Sequence, residues 1–139
     1  MGKVAVIKVN RYEDAEKAIR RGIELIGGID KFFKKNEKIL LKPNLLKASK
    51  AEDGVVTNPE IIRAIGKILK EKDFDVFLGD SPGFSDVKEV LEVSGIKKIC
   101  EDLDINMVRF SKDKIFSNLD NKLVKAFELY ENLDKFAII

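Results

Sequence analysis

Residues 75–83 have the sequence Asp75-Val76-Phe77-Leu78-Gly79-Asp80-Ser81-Pro82-Gly83. A short, β-branched and aromatic run that ends in turn residues is typical of a buried β-strand. Helical patterns flank it, because apolar side chains recur at three- and four-residue spacing in residues 61–69 and again in residues 87–91. A strand between two helices of this length predicts right-handed crossovers and a largely parallel sheet.

The same alternation of strands and helices extends along the chain in both directions. Further strands are predicted over Lys3–Val9, Lys38–Leu41 and Ile105–Phe110. The first helix is predicted from Ala15 to Ile26 and ends at Gly27-Gly28, and the second begins at Pro59 with Asn58 as its N-cap. A third helix is predicted to begin after a Ser85 cap and to end at Gly95, and a fourth covers Ile96–Leu103. We therefore predict one domain over residues 1–139, with a three-layer, Rossmann-like α/β fold. Its mainly parallel sheet has about four to five strands, with helices on both faces.

The pattern weakens after Phe110. Residues 111–122 are polar and predict a loop, residues 123–129 predict a strand, and Phe136-Ala137-Ile138-Ile139 predicts the start of another. Because the last strand is followed by no turn, we expect the fold to be cut short. An unfinished apolar edge strand tends to pair with another chain.

Composition excludes several classes of function. The 26 basic and 24 acidic residues of the 139 are interspersed and give a net charge of +2, which does not support binding to nucleic acid or to an anionic membrane surface. A single cysteine and the absence of histidine exclude an internal disulfide, a self-contained iron–sulfur cluster, histidine catalysis and histidine-bound zinc. No apolar run reaches the ~20 residues of a membrane span, so a cytoplasmic protein is expected. Frequent Lys, Ile and Glu are typical of heat-adapted proteins.

Two loops are candidates for a ligand site, because ligands bind beyond the carboxyl ends of parallel strands. The first loop, residues 42–58, contains the candidates Lys42, Asn44, Thr57 and Asn58. The second loop, residues 79–85, contains Asp80, Ser81 and Gly83, and Asp80 is also a candidate metal ligand. Amine, amide and hydroxyl groups at one sheet edge predict a site for an anionic small molecule, a phosphate or a carboxylate.

Each candidate also has a purely structural interpretation. Lys-Pro-Asn and Asp-Ser-Pro-Gly are both common turn sequences; in the first, Pro43 sets φ and Asn44 hydrogen-bonds the backbone. Ser85 is better explained as a helix cap than as a catalytic hydroxyl. Cys100 lies on an apolar stripe and is predicted to be core. The joint placement of the two loops at one edge is what favours the functional interpretation.

Four segments together resemble the domain-of-unknown-function family 362. They are Ile39-Leu40-Leu41-Lys42-Pro43-Asn44-Leu45-Leu46, Thr57-Asn58-Pro59-Glu60, Gly79-Asp80-Ser81-Pro82-Gly83 and Leu91-Glu92-Val93-Ser94-Gly95-Ile96. The resemblance implies an α/β fold that in many members is accompanied by a ferredoxin-like module with two four-iron clusters. It names no reaction.

This sequence departs from the family pattern in two places. The family typically has a histidine where this chain has Asn58, so a role for that histidine as ligand or base is absent here. The family pattern also continues past a strand like Phe136–Ile139 into a Pro-Lys-x-Lys-Thr-His segment. We therefore expect a truncated relative, half of a split protein, or a fragment that needs a partner.

Three functions follow from these observations. The first is an enzyme, or its remnant, that acts on an anionic substrate, with Lys42 neutralising charge, Asn44 and Ser81 orienting the ligand and Asp80 acting as base or holding a divalent metal. The second is a redox accessory domain that docks on an iron–sulfur protein supplied as a separate chain, since this chain alone binds no cluster. The third is an assembly role in which a second copy or another chain completes the sheet.

Overall fold

The computed structural model describes residues 2–110, 113–117 and 126–139. Its strands are β1 (Lys38–Leu41), β2 (Asp75–Leu78), β3 (Asn106–Met107), β4 (Asp113–Ser117), β5 (Ala126–Tyr130) and β6 (Ala137–Ile138). Four of them form a sheet in the order β3-β2-β1-β6, and every neighbouring pair in it is parallel. β4 and β5 form a separate antiparallel pair.

Four α-helices connect or precede these strands: α1 (Ala15–Ile26), α2 (Pro59–Lys70), α3 (Val87–Val93) and α4 (Ile96–Asp102). α2 links β1 to β2, and α3 with α4 links β2 to β3, as parallel neighbours require. α1 ends where the sequence predicts, because Gly27 has a φ of 122° that favours glycine. α2 begins as predicted, with Pro59 at its first position and Asn58 accepting from the Glu60 N–H.

The core lies where alternate side chains of β1 and β2 meet the helices. Ile39, Leu41, Val76 and Leu78 pack in one cluster with apolar residues of α2, α3 and α4, including Ile62, Leu69, Val90, Ile96, Ile99 and Cys100. Burying each aliphatic side chain of this size contributes about 1.5–3 kcal/mol to stability. Leu40 points to the other face and is also fully buried, so β1 is apolar on both sides. A parallel four-stranded sheet with helices agrees with the predicted three-layer α/β fold.

The predicted first strand over Lys3–Val9 is wrong. Residues 2–9 belong to no helix or strand, and Val4 and Val6 are 89% and 91% exposed. This segment lacks a strand partner: β1 is paired on both sides, with β2 and β6, and residues 2–9 pair with neither edge strand, β3 or β6. Ile7 instead packs on α1, with its Cδ1 atom 3.6 Å from the position that a Cβ on Gly22 would occupy.

The C-terminal third agrees with the sequence only in part. The strand expected over Ile105–Phe110 forms as the two residues of β3, and the strand expected at Phe136–Ile139 forms as β6. The loop expected over residues 111–122 is wrong at Asp113–Ser117, which is β4, paired with β5. β5 begins within the strand predicted for residues 123–129. Residues 111–112 and 118–125 lie outside the described part of the chain.

Candidate functional site

The first and second loops leave neighbouring strands at the same edge of the sheet. β1 and β2 are paired so that Leu41 lies opposite Leu78, and the Gly79 N–H donates to the Leu41 carbonyl across 3.1 Å. The first loop therefore begins at Lys42 and the second at Gly79, side by side. This placement is the one that the sequence predicts from a parallel sheet.

Asp80 connects the two loops directly. Its Oδ1 atom accepts from the Lys42 ammonium at 2.7 Å, and its Oδ2 atom accepts from the Leu45 N–H at 2.9 Å. Asp80 is 8% exposed, whereas the Lys42 side chain is 52% exposed. A charge-assisted pair of this length is among the stronger hydrogen bonds in proteins. The carboxylate is thus buried and hydrogen-bonded, and it binds a lysine whose side chain is half exposed.

Two more hydrogen bonds join the loops farther from the strands. The Gly83 N–H donates to the Leu46 carbonyl at 3.2 Å, and the Ala48 N–H donates to the Ser85 hydroxyl at 3.1 Å. The prediction that Ser85 caps α3 is wrong. Asp86 is the N-cap and accepts from the Lys88 N–H at 2.8 Å. Asp caps a helix as well as Ser does, so the sequence allowed either residue.

The first loop is also closed by bonds within itself. The Asn44 N–H donates to the Thr57 hydroxyl at 2.9 Å, and the Thr57 N–H donates to the Asn44 carbonyl at 3.0 Å. The Asn44 side-chain amide donates to the Val55 carbonyl at 2.7 Å, next to a single antiparallel bridge between Leu45 and Val56. A loop expected to lack regular structure is therefore a closed, hydrogen-bonded lobe with a 3₁₀ turn at Ala51–Asp53.

The candidate residues fall into four groups in this geometry. Lys42 and Asp80 are bonded to each other, and Asn44 and Thr57 are bonded to each other across the lobe. Asn58 is engaged as the cap of α2. Ser81 and Gly83 are exposed on the second loop. Within the described residues, Asn44 closes the first loop, as the structural interpretation expects, and Asp80 joins the two loops.

The donor set does not form a ready metal site in the described part of the chain. No three His, Cys, Asp or Glu side chains lie together there in a way that could hold an ion. Both oxygens of Asp80 already accept hydrogen bonds, one of them from a cation. A divalent metal at Asp80 would have to displace Lys42, since a carboxylate binds such an ion through these oxygens. Metal binding by Asp80 stays a prediction from sequence.

One feature of this edge was missed from the sequence. A cavity of about 190 Å³ lies between the end of β1 and the first turns of α2. Its lining consists of Leu41, Lys42, Pro43, Thr57, Ile61, Ile62, Ile65 and Ile139. The sequence signal that could have indicated this cavity is the set of isoleucines in α2, which the helical spacing assigns to the buried face of that helix. Ile61 and Ile65 are only half-buried, because part of their surface faces this cavity.

Cys100 is core, as predicted. It is buried in the cluster with Ile96 and Ile99. Burial raises the pKa of the Cys100 thiol to about 11, and the neighbouring Glu101 carboxylate raises it further. A thiol with a raised pKa is a poor nucleophile near neutral pH, because the thiolate is the reactive form.

Among the helices that the structure describes, none has the length and apolar character needed to cross a bilayer.

Comparison with known proteins identifies relatives without naming a reaction. The profile of a family described as "Domain of unknown function (DUF362)" matches residues 39–139. A thylakoid-associated protein of Synechocystis sp. is 30% identical over 120 residues, which is 85% of this chain and 37% of that protein. The chain therefore spans little more than a third of the length of this relative. No solved structure gives a significant match. The matched region includes β1, β2 and both loops.

Proposed function

This chain belongs to the DUF362 family, and we propose that it is a binding domain for a small anionic molecule, held at the carboxyl edge of β1 and β2. The ligand group is a carboxylate or a phosphate. Lys42 supplies the positive charge, and Thr57 supplies a neighbouring hydroxyl.

The observation that supports this proposal is the unequal exposure of a bonded ion pair. Asp80 is buried, yet the Lys42 side chain that it binds is 52% exposed. A ligand can therefore approach the Lys42 side chain more readily than the Asp80 carboxylate. An ammonium has three donors, and Asp80 accepts one of them at 2.7 Å. Asp80 thus positions the ammonium, and its remaining N–H donors can bind an anion.

The Thr57 hydroxyl is placed to assist. It lines the same cavity as Lys42 and accepts from the Asn44 N–H, which leaves its own proton to donate to a ligand. Two other donors that the sequence offers at this edge are already used. The Lys88 N–H at the start of α3 binds Asp86, and the Glu60 N–H at the start of α2 binds Asn58. Lys42 is therefore the cation on which the proposal depends.

The test is a thermal-shift screen of anions that compares the wild type with a variant lacking the Lys42 charge. We expect at least one anion from a panel of carboxylates, orthophosphate and phosphate esters to raise the melting temperature of the wild type. Lys42→Met should abolish the shift, since methionine keeps the length of the side chain without its charge. Lys47→Met is the matched control, because Lys47 is an exposed lysine of the same loop. Equal responses of wild type and Lys42→Met to every anion would refute the proposal.

A second candidate function is assembly with another polypeptide. An apolar groove of about 310 Å³ lies beside β6 and is lined by isoleucines and phenylalanines of α1, α2 and the segment between α1 and β1, together with Ile138 and Ile139. An exposed apolar surface next to an edge strand is typical of a protein–protein contact. The family resemblance implies an iron–sulfur protein as the partner. Copurification from the source organism tests this: a brown species that elutes with the chain supports it, and a colourless monomer contradicts it.

A further inference from the structure

We infer that the ligand of the Lys42 site is a short aliphatic carboxylate, whose hydrocarbon body fills the cavity between β1 and α2 while its carboxylate binds Lys42. This inference rests on the proposed anion site and goes further by assigning the chemical class of the ligand. It rests on the chemistry of the cavity walls.

The walls are apolar except at two positions. Six of the eight lining residues are aliphatic or proline, and the other two are Lys42 and Thr57. Lys42 lies directly after β1 and Thr57 lies two residues before α2, so the two polar residues of the lining come from the two ends of the first loop. A ligand that is polar along its whole length would leave buried polar atoms without partners against these isoleucines. A ligand with one anionic end and an apolar body matches both the apolar walls and the two polar residues.

The volume limits the size of the ligand. A cavity of about 190 Å³ is smaller than the 300–1,000 Å³ that drug-sized ligands occupy. A water molecule has a share of about 30 Å³ in the liquid, so the space holds roughly six groups of that size. The space therefore suits the hydrocarbon chain of a carboxylic acid of about four to six carbons.

The charge of the site favours a carboxylate over a phosphate ester. Asp80 already neutralises part of the Lys42 charge at a distance of 2.7 Å. A monoanion can use the remaining ammonium donors at little repulsive cost, whereas a dianion brings a second negative charge close to Asp80. The Thr57 hydroxyl can donate to the second carboxylate oxygen. One ammonium and one hydroxyl can together offer a donor to each oxygen of a single carboxylate.

The test is a calorimetric titration of the full chain with acetate, butanoate and hexanoate at constant ionic strength, with orthophosphate and hexanol as further probes. We expect affinity to rise by roughly fourfold for each added methylene, because each one removes apolar surface from water. Hexanol should bind at least tenfold more weakly than hexanoate, since it lacks the charge that pairs with Lys42.

Two variants locate the binding. Ile65→Phe and Ile61→Phe each add volume to the cavity wall. In both variants we expect the gain in affinity from acetate to hexanoate to disappear. Circular dichroism before titration establishes that each variant is folded. Using two positions guards against one of them failing to fold.

The outcomes separate this inference from the proposed function. Tightening with chain length that Ile65→Phe and Ile61→Phe remove supports the inference. Binding of acetate and orthophosphate at Lys42 with no gain for hexanoate overturns the inference and leaves the anion site standing. The same gain with chain length in wild type and both variants also overturns it, since the hydrocarbon then binds elsewhere. Failure of every anion to bind overturns both.

Discussion

The Leu45 N–H donates to Asp80 Oδ2 across 2.9 Å, while Lys42 binds the other oxygen of the same carboxylate. Asp80 therefore joins the start of the second loop to two points of the first loop. Leu45 is fully buried, so no water can replace this acceptor without a change in packing. At this edge of the sheet one buried carboxylate thus binds both a backbone segment and the side chain of a lysine.

Asp80→Ala should destabilise the protein by about 1–3 kcal/mol, because it leaves the buried Leu45 N–H without an acceptor. Urea unfolding followed by circular dichroism measures the change. Ser81→Ala is the matched control, since Ser81 is the next residue and is exposed; it should change stability by less than about 0.5 kcal/mol. Equal stabilities for Asp80→Ala and the wild type would contradict the role assigned to Asp80.

Gly79→Ala should be strongly destabilising. A Cβ at Gly79 would lie 2.9 Å from the Val108 carbonyl oxygen and 3.0 Å from Phe110 Cε1, and a backbone atom cannot move aside as a flexible side chain can. We expect a loss of about 1–3 kcal/mol, which is typical of overpacking. Gly83→Ala serves as control, because its nearest contact would be Leu46 Cδ1 at 3.9 Å. Thermal unfolding of the pair should show a large loss only for Gly79→Ala.

Asn58→Ala should cost about 1 kcal/mol, since the Asn58 side chain caps α2 through the Glu60 N–H at 2.9 Å. Asn58→Asp should retain most of the stability, because aspartate accepts the same hydrogen bond. Both losses are measured by urea unfolding. If alanine and aspartate destabilise equally, the side chain acts through something other than the cap.

Cys100 should make stability fall at alkaline pH. Its pKa is raised from 9.0 to about 11 in the folded protein, so between these values the unfolded chain loses a proton that the folded chain keeps. The contribution is fully present below pH 9 and is lost as pH rises towards 11, by roughly 2–3 kcal/mol in total. The unfolding free energy of wild type and Cys100→Ala should therefore converge over this range. A constant difference between them would show that the thiol does not titrate in this way.

The sequence predicts most of the central fold for a simple reason. The apolar runs of β1 and β2, the Asn58-Pro59 helix start and the Gly27 helix end are local signals, and the structure agrees with each. The Lys3–Val9 strand failed because a strand also needs a neighbour, and the position beside β1 is taken by β6, which is almost a hundred residues away in sequence. The local sequence pattern cannot show whether residues 3–9 or the residues of β6 pair with β1.

The sequence predicts where the candidate residues lie in the fold, but it does not predict which of them contact each other. Parallel strands bring Lys42 and Asp80 to one edge, and that much follows from topology. Which residues contact each other depends on how each loop bends. The Ser85 hydroxyl accepts a hydrogen bond from the Ala48 N–H instead of capping α3. Asn44 closes the first loop through hydrogen bonds with Val55 and Thr57. The cavity beside Ile61 and Ile65 depends on the gap between a helix and a strand, which no residue pattern records.

The most direct test of the anion site is a ¹H–¹⁵N correlation titration of wild type, Lys42→Met and Lys47→Met with butanoate at constant ionic strength. We expect saturable shifts in the wild type at Lys42 and Thr57, an affinity at least about tenfold weaker in Lys42→Met, and no change in Lys47→Met. Shifts of the same size and affinity in all three proteins would contradict it, because the charge of Lys42 would then contribute nothing to binding.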